Sequence, residues 1–328
     1  MQRAILFCLL SCLVGGAAAQ PPNGYRVGAQ PIPISPNHAV GAKIGQVRFL
    51  GMLVLPRINV GGQRLIDLSD LAWDEDEQVL YAISNKGALF ALRPRIEHDR
   101  LVDVGVLRAM PLLDPDGRPL KRRLNDAEGM DILNGANGRS GDTRLILSFE
   151  GPARVMSFDT QGSPLHAHAL PAPLNDEKRY AGRNRSLEAL AIHPRYGILV
   201  APEDPLRGSA PNESAIFSLA GTRWRYPLQD DASIVALKAD GEDAVLVLER
   251  NFDLFGGTAI ALRRFYLSGA RAGRLDTLMA LSGSEGFKLD NFEGLARHRG
   301  RRFFLVSDDN DAFYQKTLLL YIELLTDP

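Results

Sequence analysis

Beyond its first twenty residues the chain contains no cysteine, since both of its cysteines, Cys8 and Cys12, lie close to the N-terminus. A chain with that distribution cannot rely on disulfides, a thiol nucleophile or Cys-ligated zinc. Long apolar runs are also missing. The longest, Ala4 to Val14, falls short of the roughly 20 residues a membrane helix needs. Charge of one sign is not in excess: 38 basic residues face 39 acidic ones, so neither nucleic acid nor an anionic membrane is an expected partner. Several catalytic signatures are absent too. There is no GxSxG elbow, P-loop, dinucleotide fingerprint or HExxH, and RHRGRR at 297–302 lacks the spacing and proline of a histidine acid phosphatase motif.

What is present begins with an N-terminal segment, MQRAILFCLLSCLVGGAAAQ, that reads as a secretory signal peptide cut near Ala19. Cys12 sits in only a loose match to a lipoprotein box, so lipid anchoring there is not the expected outcome. The mature chain is expected to be soluble and either periplasmic or secreted. A Pro-rich lead over 20–40 precedes one large domain over 41–328. At 45% apolar residues, that domain can build a substantial core.

Within the domain, short apolar runs alternate with Gly, Pro, Asn and Asp, a pattern of many short strands. One phrase recurs: a polar residue, an apolar run, a turn, and a second apolar run closed by another acid or amide. It opens at Asp70, Glu188, Ile234 and Glu293, and closes 15 positions later at Asn85, Glu203, Glu249 and Asp308. A fifth copy opens at Glu128 and closes at Glu150, its turn lengthened by the Gly-rich NGANGRSGD. A further strand follows each phrase: ALFALRP, ARVMSFDT, AIFSLAG, AIALRRFYL and LLLYIELL. Openings spaced 58, 60, 46 and 59 residues apart predict an all-β fold, a single β-propeller. Five phrases are explicit, and a sixth blade drawn from Gln46 to Leu55 and its neighbours makes six the expected count, with five or seven as alternatives.

Antiparallel strands return to where they began, so the opening and closing residues of each phrase share one end of a hairpin. Around a ring they gather at one channel mouth. Converging carboxylates repel one another and require positive charge. Oxygen-only ligands point to calcium, with magnesium as the alternative. Arg183, Arg185, Arg250, Arg154 and Lys86 fall near the same rim. Acids flanking strands can also serve only as caps for loop backbone, and that reading stays open.

Other residues are read more plainly. His193 and His298 are expected in solvent-facing turns at the opposite end from the acids. His166 and His168 alternate on an outer strand and, as a pair, make a poor metal site. Trp73, Trp224, Phe149, Phe158, Phe252, Phe292 and Phe303 are expected to pack between blades.

Six segments, DAEGMDI (126–132), SFEGP (148–152), RNRSLEALA (183–191), LERNF (248–252), DNFEGLA (290–296) and VSDDN (306–310), resemble the phytase-like family of exported bacterial proteins with esterase-like activity. The resemblance runs from about Asp67 to Leu325. It implies a propeller akin to those of β-propeller phytases, which use calcium at an acid-lined channel mouth. By this resemblance Glu128, Glu150, Glu188, Glu203, Glu249, Glu293 and Asp308 would hold or flank the metal. The first phrase, with Asp70 and Asn85, and the fourth, with Ile234, depart from the pattern and imply an asymmetric site.

The expected function is a metal-dependent hydrolase of phosphate or carboxylic esters, working as a monomer on a small anionic or ester substrate. Glu128, Glu188 and Glu293, with Arg185 and Arg250, form the expected catalytic set: carboxylates hold the ion and supply a general base, and cations stabilise developing negative charge. The alternatives are a non-catalytic binding or scaffold propeller with structural calcium, and a lactonase-like hydrolase.

Overall fold

The computed structural model describes residues 25–182, 185–210, 212–229, 231–253 and 257–326. The signal-peptide reading, both cysteines and Arg183 lie outside these. Among the described residues no helix is long and apolar enough to cross a membrane.

Five antiparallel sheets form the blades of a closed ring. The inner strands are Leu68–Asp74, Ala127–Leu133, Leu187–His193, Ser233–Asp240 and Asn291–Arg297, in blades 1 to 5 respectively. Each turns back into a second strand: Val79–Ser84, Arg144–Phe149, Gly197–Pro202, Ala244–Asp253 and Arg302–Asp308. The post-phrase runs seen in the sequence are the third strands, such as Ala88–Glu97 in blade 1 and Thr317–Leu324 in blade 5. Five apolar clusters fill the five gaps between neighbouring blades. Blades 2 and 3, for instance, share Ile146, Val155, Leu187, Leu190, Val200 and Phe217, and blades 3 and 4 share Leu199, Ile216, Tyr226, Leu237, Val247 and Phe265. A sheet with two apolar faces is stable only when both are covered, and the ring covers both for every blade.

The blade count is therefore five, not six. Val47–Leu55, expected to seed a sixth blade, has no hairpin phrase of its own. It pairs with Thr317–Leu324 from Leu55↔Thr317 to Val47↔Leu324 and becomes the outer strand of blade 5. The ring is thus closed by one sheet built from both ends of the domain. The Pro-rich lead binds the same region, with Tyr25–Arg26 on the outer strand of blade 1 and Gln30–Pro31 on Val47–Leu55.

All five inner strands carry a register shift near their start, where one extra residue faces the second strand. It falls at Ser69, within Glu128–Gly129, and at Glu188, Val235 and Glu293. Such a bulge bends a strand and redirects a side chain. Here glycine allows a tight approach on one side. A Cβ on Gly129 would lie 2.5 Å from Ser148 Oγ, 2.6 Å from the Glu188 carbonyl oxygen and 2.7 Å from the Leu190 nitrogen. A Cβ on Gly294 would lie 2.8 Å from the Asp70 Cα.

The histidines depart from expectation. His193 is only 1% exposed, its ring 5.0 Å from that of Tyr196 and its Nδ1 accepting from the Arg195 N–H. The ring of His298 lies edge-on to Trp73 and its Nδ1 shares a hydrogen bond with the Tyr321 hydroxyl. Burial lowers the His298 pKa to about 4. Both rings fill space at blade junctions because an imidazole with one satisfied nitrogen buries nearly as well as an aromatic ring. Phe252 departs in the other direction, 68% exposed at the end of the second strand of blade 4. Phe149, Phe158, Phe292 and Phe303 are fully buried. Trp224 donates to the Leu267 carbonyl oxygen and so bridges blades 3 and 4.

The close approach at Gly129 predicts that Gly129→Ala lowers stability by about 1–3 kcal/mol, since backbone atoms of blade 3 must shift to admit a methyl group. Denaturant unfolding of the variant beside the parent checks this.

Candidate metal centre at the channel mouth

The bulges decide which acids meet. Glu128, Glu188 and Glu293, one from each of blades 2, 3 and 5, offer carboxylate oxygens that all lie within 4.8 Å of one another, and all three residues are buried. Two further trios share members with this one: Asp126, Glu128 and Glu150, and Glu150, Glu188 and Glu203. Six acids of blades 2, 3 and 5 thus form one continuous patch at the mouth. A fourth trio, Asp67, Asp308 and Asp309, lies at the junction of blades 5 and 1.

Blades 1 and 4 contribute differently because the sequence phrase slips by one residue in each. The bulge of blade 1 is at Ser69, so Asp70 lies one position further on and turns inward. Its Oδ1 accepts from the Leu71 and Leu295 N–H groups and its Oδ2 from Met130, which ties the inner strands of blades 5, 1 and 2 together. Burial raises the Asp70 pKa to about 7. In blade 4 the bulge is at Val235, and the residue matching Glu150, Glu203 and Asp308 is Arg250. Glu249, adjacent on the strand, faces the other side, as alternation along a strand requires. It accepts from the Tyr226 hydroxyl at 2.6 Å and from Arg263 at 3.0 Å, and it belongs to none of the acid clusters.

Arg250 occupies the gap left by an acid in blade 4. Its Nη1 donates to Asn291 Oδ1 and Glu293 Oε1, and its Nη2 to Glu203 Oε1 at 3.1 Å. Burial works against its charge, but Glu293, Glu188 and Glu203 more than offset that and raise its pKa. Arg185 pairs with Asp204 on the rim and is largely exposed. Arg154 donates to the Leu124 and Pro152 carbonyl oxygens and lies over the Phe149 ring. Lys86 donates to Asn85 Oδ1.

One arginine does not neutralise the patch. Burial, then the charges of Glu188 and Glu293, push the Glu128 carboxyl well above its ordinary range. Burial, then Glu203 and Glu293, do the same to Glu188. Burial raises Glu150 to about 8 although the Ser186 N–H donates to its Oε1. Glu203 and Glu293 are raised by burial despite Arg250.

The donor set suits a hard divalent cation. Oxygens 2.3–2.6 Å from a central calcium are separated from one another by no more than about 5 Å, the spacing these trios show. No soft ligand belongs to these clusters. They are thus able to coordinate a divalent cation.

A cavity of about 820 Å³ opens beside the patch, and Asp126 and Ser186 form part of its wall. Lys86, Arg122 and Arg123 bring positive charge to it. Arg122 and Arg123 were not apparent from the repeat because they lie in the connection between blades 1 and 2, outside every phrase. Asp126 stood in the DAEGMDI motif, two residues ahead of the acid on which the alignment rested. Asp67 and Asp309 each adjoin an aligned position and were hidden by the same emphasis on one acid per strand end.

The raised carboxyl pKa values fix the sign of a pH effect. Between the ordinary glutamate value of 4.5 and about 8, Glu150 binds more protons in the folded chain than in the unfolded one. Cation-free stability is therefore complete below 4.5 and declines as pH rises through 8. Thermal melts in chelator should show a falling melting temperature from pH 5 to pH 8. Added calcium should recover most at the alkaline end, where protons no longer compete for the oxygens.

Comparison with solved structures gives loose matches. The RRP9 WD40 repeats share 12% identity over 87% of each chain, with a TM-score of 0.38. A putative oxidoreductase (glucose dehydrogenase) from Thermus thermophilus shares 15% over 90% of this chain and all of that one, with a TM-score of 0.37. The Dos1 propeller shares 9% over 86% of this chain and 74% of that one, with a TM-score of 0.36. Likeness at this level bears on no question of chemistry. No curated protein matches the chain. Residues 63–311, most of the chain and all five inner strands, match the family described as "Phytase-like: Esterase-like activity of phytase", and the chain belongs to that family.

Proposed function

We propose that the protein is an exported ester hydrolase that uses calcium held at the channel mouth and acts on phosphate or carboxylic esters bearing negative charge. The observation that carries this reading is the convergence of Glu128, Glu188 and Glu293 from three blades onto one point beside a cation-lined cavity. Membership of a family named for esterase-like activity supports the reaction class.

Glu128, Glu188 and Glu293 would hold the ion. When bound, such a cation polarises an ester oxygen and favours ionisation of a nearby water. Arg250 is a positioning residue: its bonds to Glu203, Glu293 and Asn291 fix two of the acids and keep the patch from expanding under its own repulsion. Lys86, Arg122 and Arg123 receive the anionic part of the substrate and offset charge that develops on the leaving oxygen. Asp126 is the acid of the patch that lines the cavity, so it is placed to accept a proton from an attacking water. Arg185, held by Asp204, guards the rim on the blade 3 side.

Replacing one of three oxygen ligands weakens ion binding without emptying the pocket of volume. Glu188→Gln should lower both calcium affinity and turnover of p-nitrophenyl phosphate or p-nitrophenyl acetate by at least ~10-fold. Unchanged turnover together with unchanged affinity would reduce the acids to strand-end caps. Turnover absent in the parent itself, with calcium raising only the melting temperature, would favour a binding propeller. A double change, Arg122→Ala with Arg123→Ala, should raise KM for the phosphate ester by about tenfold or more while leaving the uncharged acetate ester almost unaffected. Steady-state kinetics on the two substrates separates a general folding defect from the loss of an anion subsite.

A further inference from the structure

The junction where the ring closes carries a second concentration of acid. Asp67 lies in the approach to the inner strand of blade 1, and Asp308 and Asp309 end the second strand of blade 5. Carboxylate oxygens of all three lie within 4.8 Å of one another, and all three side chains are buried. Asp309 is provided for: its Oδ1 accepts from the Asp67 N–H at 3.0 Å, and its Oδ2 meets Arg57 Nε at 2.8 Å. Asp308 accepts from Asn85 Nδ2 at 3.2 Å and from the Asn310 N–H at 2.8 Å. Asp67 is different. It has no exposed surface, yet neither of its carboxylate oxygens accepts a hydrogen bond. The nearest cation, Lys86, stands 3.5 Å from Oδ2, and its own side chain is mostly in solvent.

A fully buried carboxylate without a hydrogen bond costs more than its neighbours can return, unless something positive sits against it. Arg57 is committed to Asp309 and, at 3.5 Å, to Asp311. What remains is a small, all-oxygen pocket with an inward-facing acid and an uncompensated charge. Three carboxylate ligands, completed by waters, match what calcium accepts and exceed what magnesium tends to take from protein.

We infer that Asp67, Asp308 and Asp309 form a separate calcium site that fastens blade 5 to blade 1. The ion's role here is mechanical. It joins the approach to the first inner strand to the end of a strand more than two hundred residues later, at the one junction that depends on both ends of the domain. This site stands apart from the channel-mouth reading and does not depend on it.

Equilibrium dialysis of the full chain against calcium, with ions counted per chain, tests the inference. The parent is compared with Asp67→Asn, with Asp67→Gly and with Glu188→Gln. Asp67 has a φ of 54°, which glycine adopts freely, so Asp67→Gly removes the carboxylate without backbone strain and serves if the asparagine variant folds poorly. Both Asp67 variants should bind one ion fewer than the parent, and calcium should raise their melting temperature by about half as much as it raises that of the parent. In chelator, Asp67→Asn should melt above the parent, because one of three mutually repelling charges is gone. A merely structural Asp67–Lys86 pair predicts the reverse, a variant that melts lower in chelator and keeps its ion count. That result, or a parent that binds no calcium, overturns the inference. Loss of an ion in Glu188→Gln alone would support the channel mouth and overturn this site. Loss in the Asp67 variants alone would sustain this site and remove the mouth.

Discussion

The inner strands of this ring lie side by side without forming ladder hydrogen bonds to one another, so their channel-facing N–H groups need partners from elsewhere. Two aspartates supply them. Asp70 accepts from the backbone of blades 5, 1 and 2, and Asp131 Oδ2 accepts from the Ile192 N–H of blade 3 at 2.8 Å. Lys238 of blade 4 reaches across to complete the girdle, 3.2 Å from Asp131 Oδ1 and 3.2 Å from the Met130 carbonyl oxygen. Every other feature of the mouth rests on this buried polar ring. It sets the spacing of the strands whose bulges project Glu128, Glu188 and Glu293, and glycine at 129 and 294 lets the strands approach that closely.

Above that girdle the acids are not evenly distributed. Blades 2, 3 and 5 each present a glutamate at the bulge, whereas blade 1 presents Ser69 and blade 4 Val235. At the closing position blade 4 carries Arg250 where its neighbours carry acids. The result is a lopsided field, negative towards blades 2 and 3 and partly neutralised towards blade 4. The cavity with Lys86, Arg122 and Arg123 opens on the negative side, which places positive and negative groups within reach of the same small molecule.

Much of this was legible in the chain. The phrase of polar residue, strand, turn and strand located all five hairpins, and the runs that follow each phrase proved to be the third strands. Glu128, Glu150, Glu188, Glu203 and Glu293 were all chosen on spacing and do lie together. The errors have one physical source, because a one-residue slip along a strand moves a side chain to the opposite face. Asp70 and Glu249 were aligned one residue away from the positions that face the mouth, and so became a backbone pin and an inter-blade contact. A bulge gives no compositional sign unless glycine follows it, and only blades 2 and 5 have that glycine. The blade count failed for another reason: a strand that completes a distant sheet carries the same apolar pattern as one that begins a new sheet. Arg122 and Arg123 belong to a connection that repeats nowhere, so no periodicity could indicate them.

The pairing of Val47–Leu55 with Thr317–Leu324 bears on how the molecule comes into being. During synthesis the early segment leaves the ribosome with an apolar edge and no mate, and it must wait for nearly the whole remainder of the chain before its partner appears. Four blades can form in turn as they emerge, each from consecutive sequence. The fifth cannot, and loop closure over so great a length is slow. The interval before that last pairing is when the nascent protein is most exposed to neighbours offering a substitute strand.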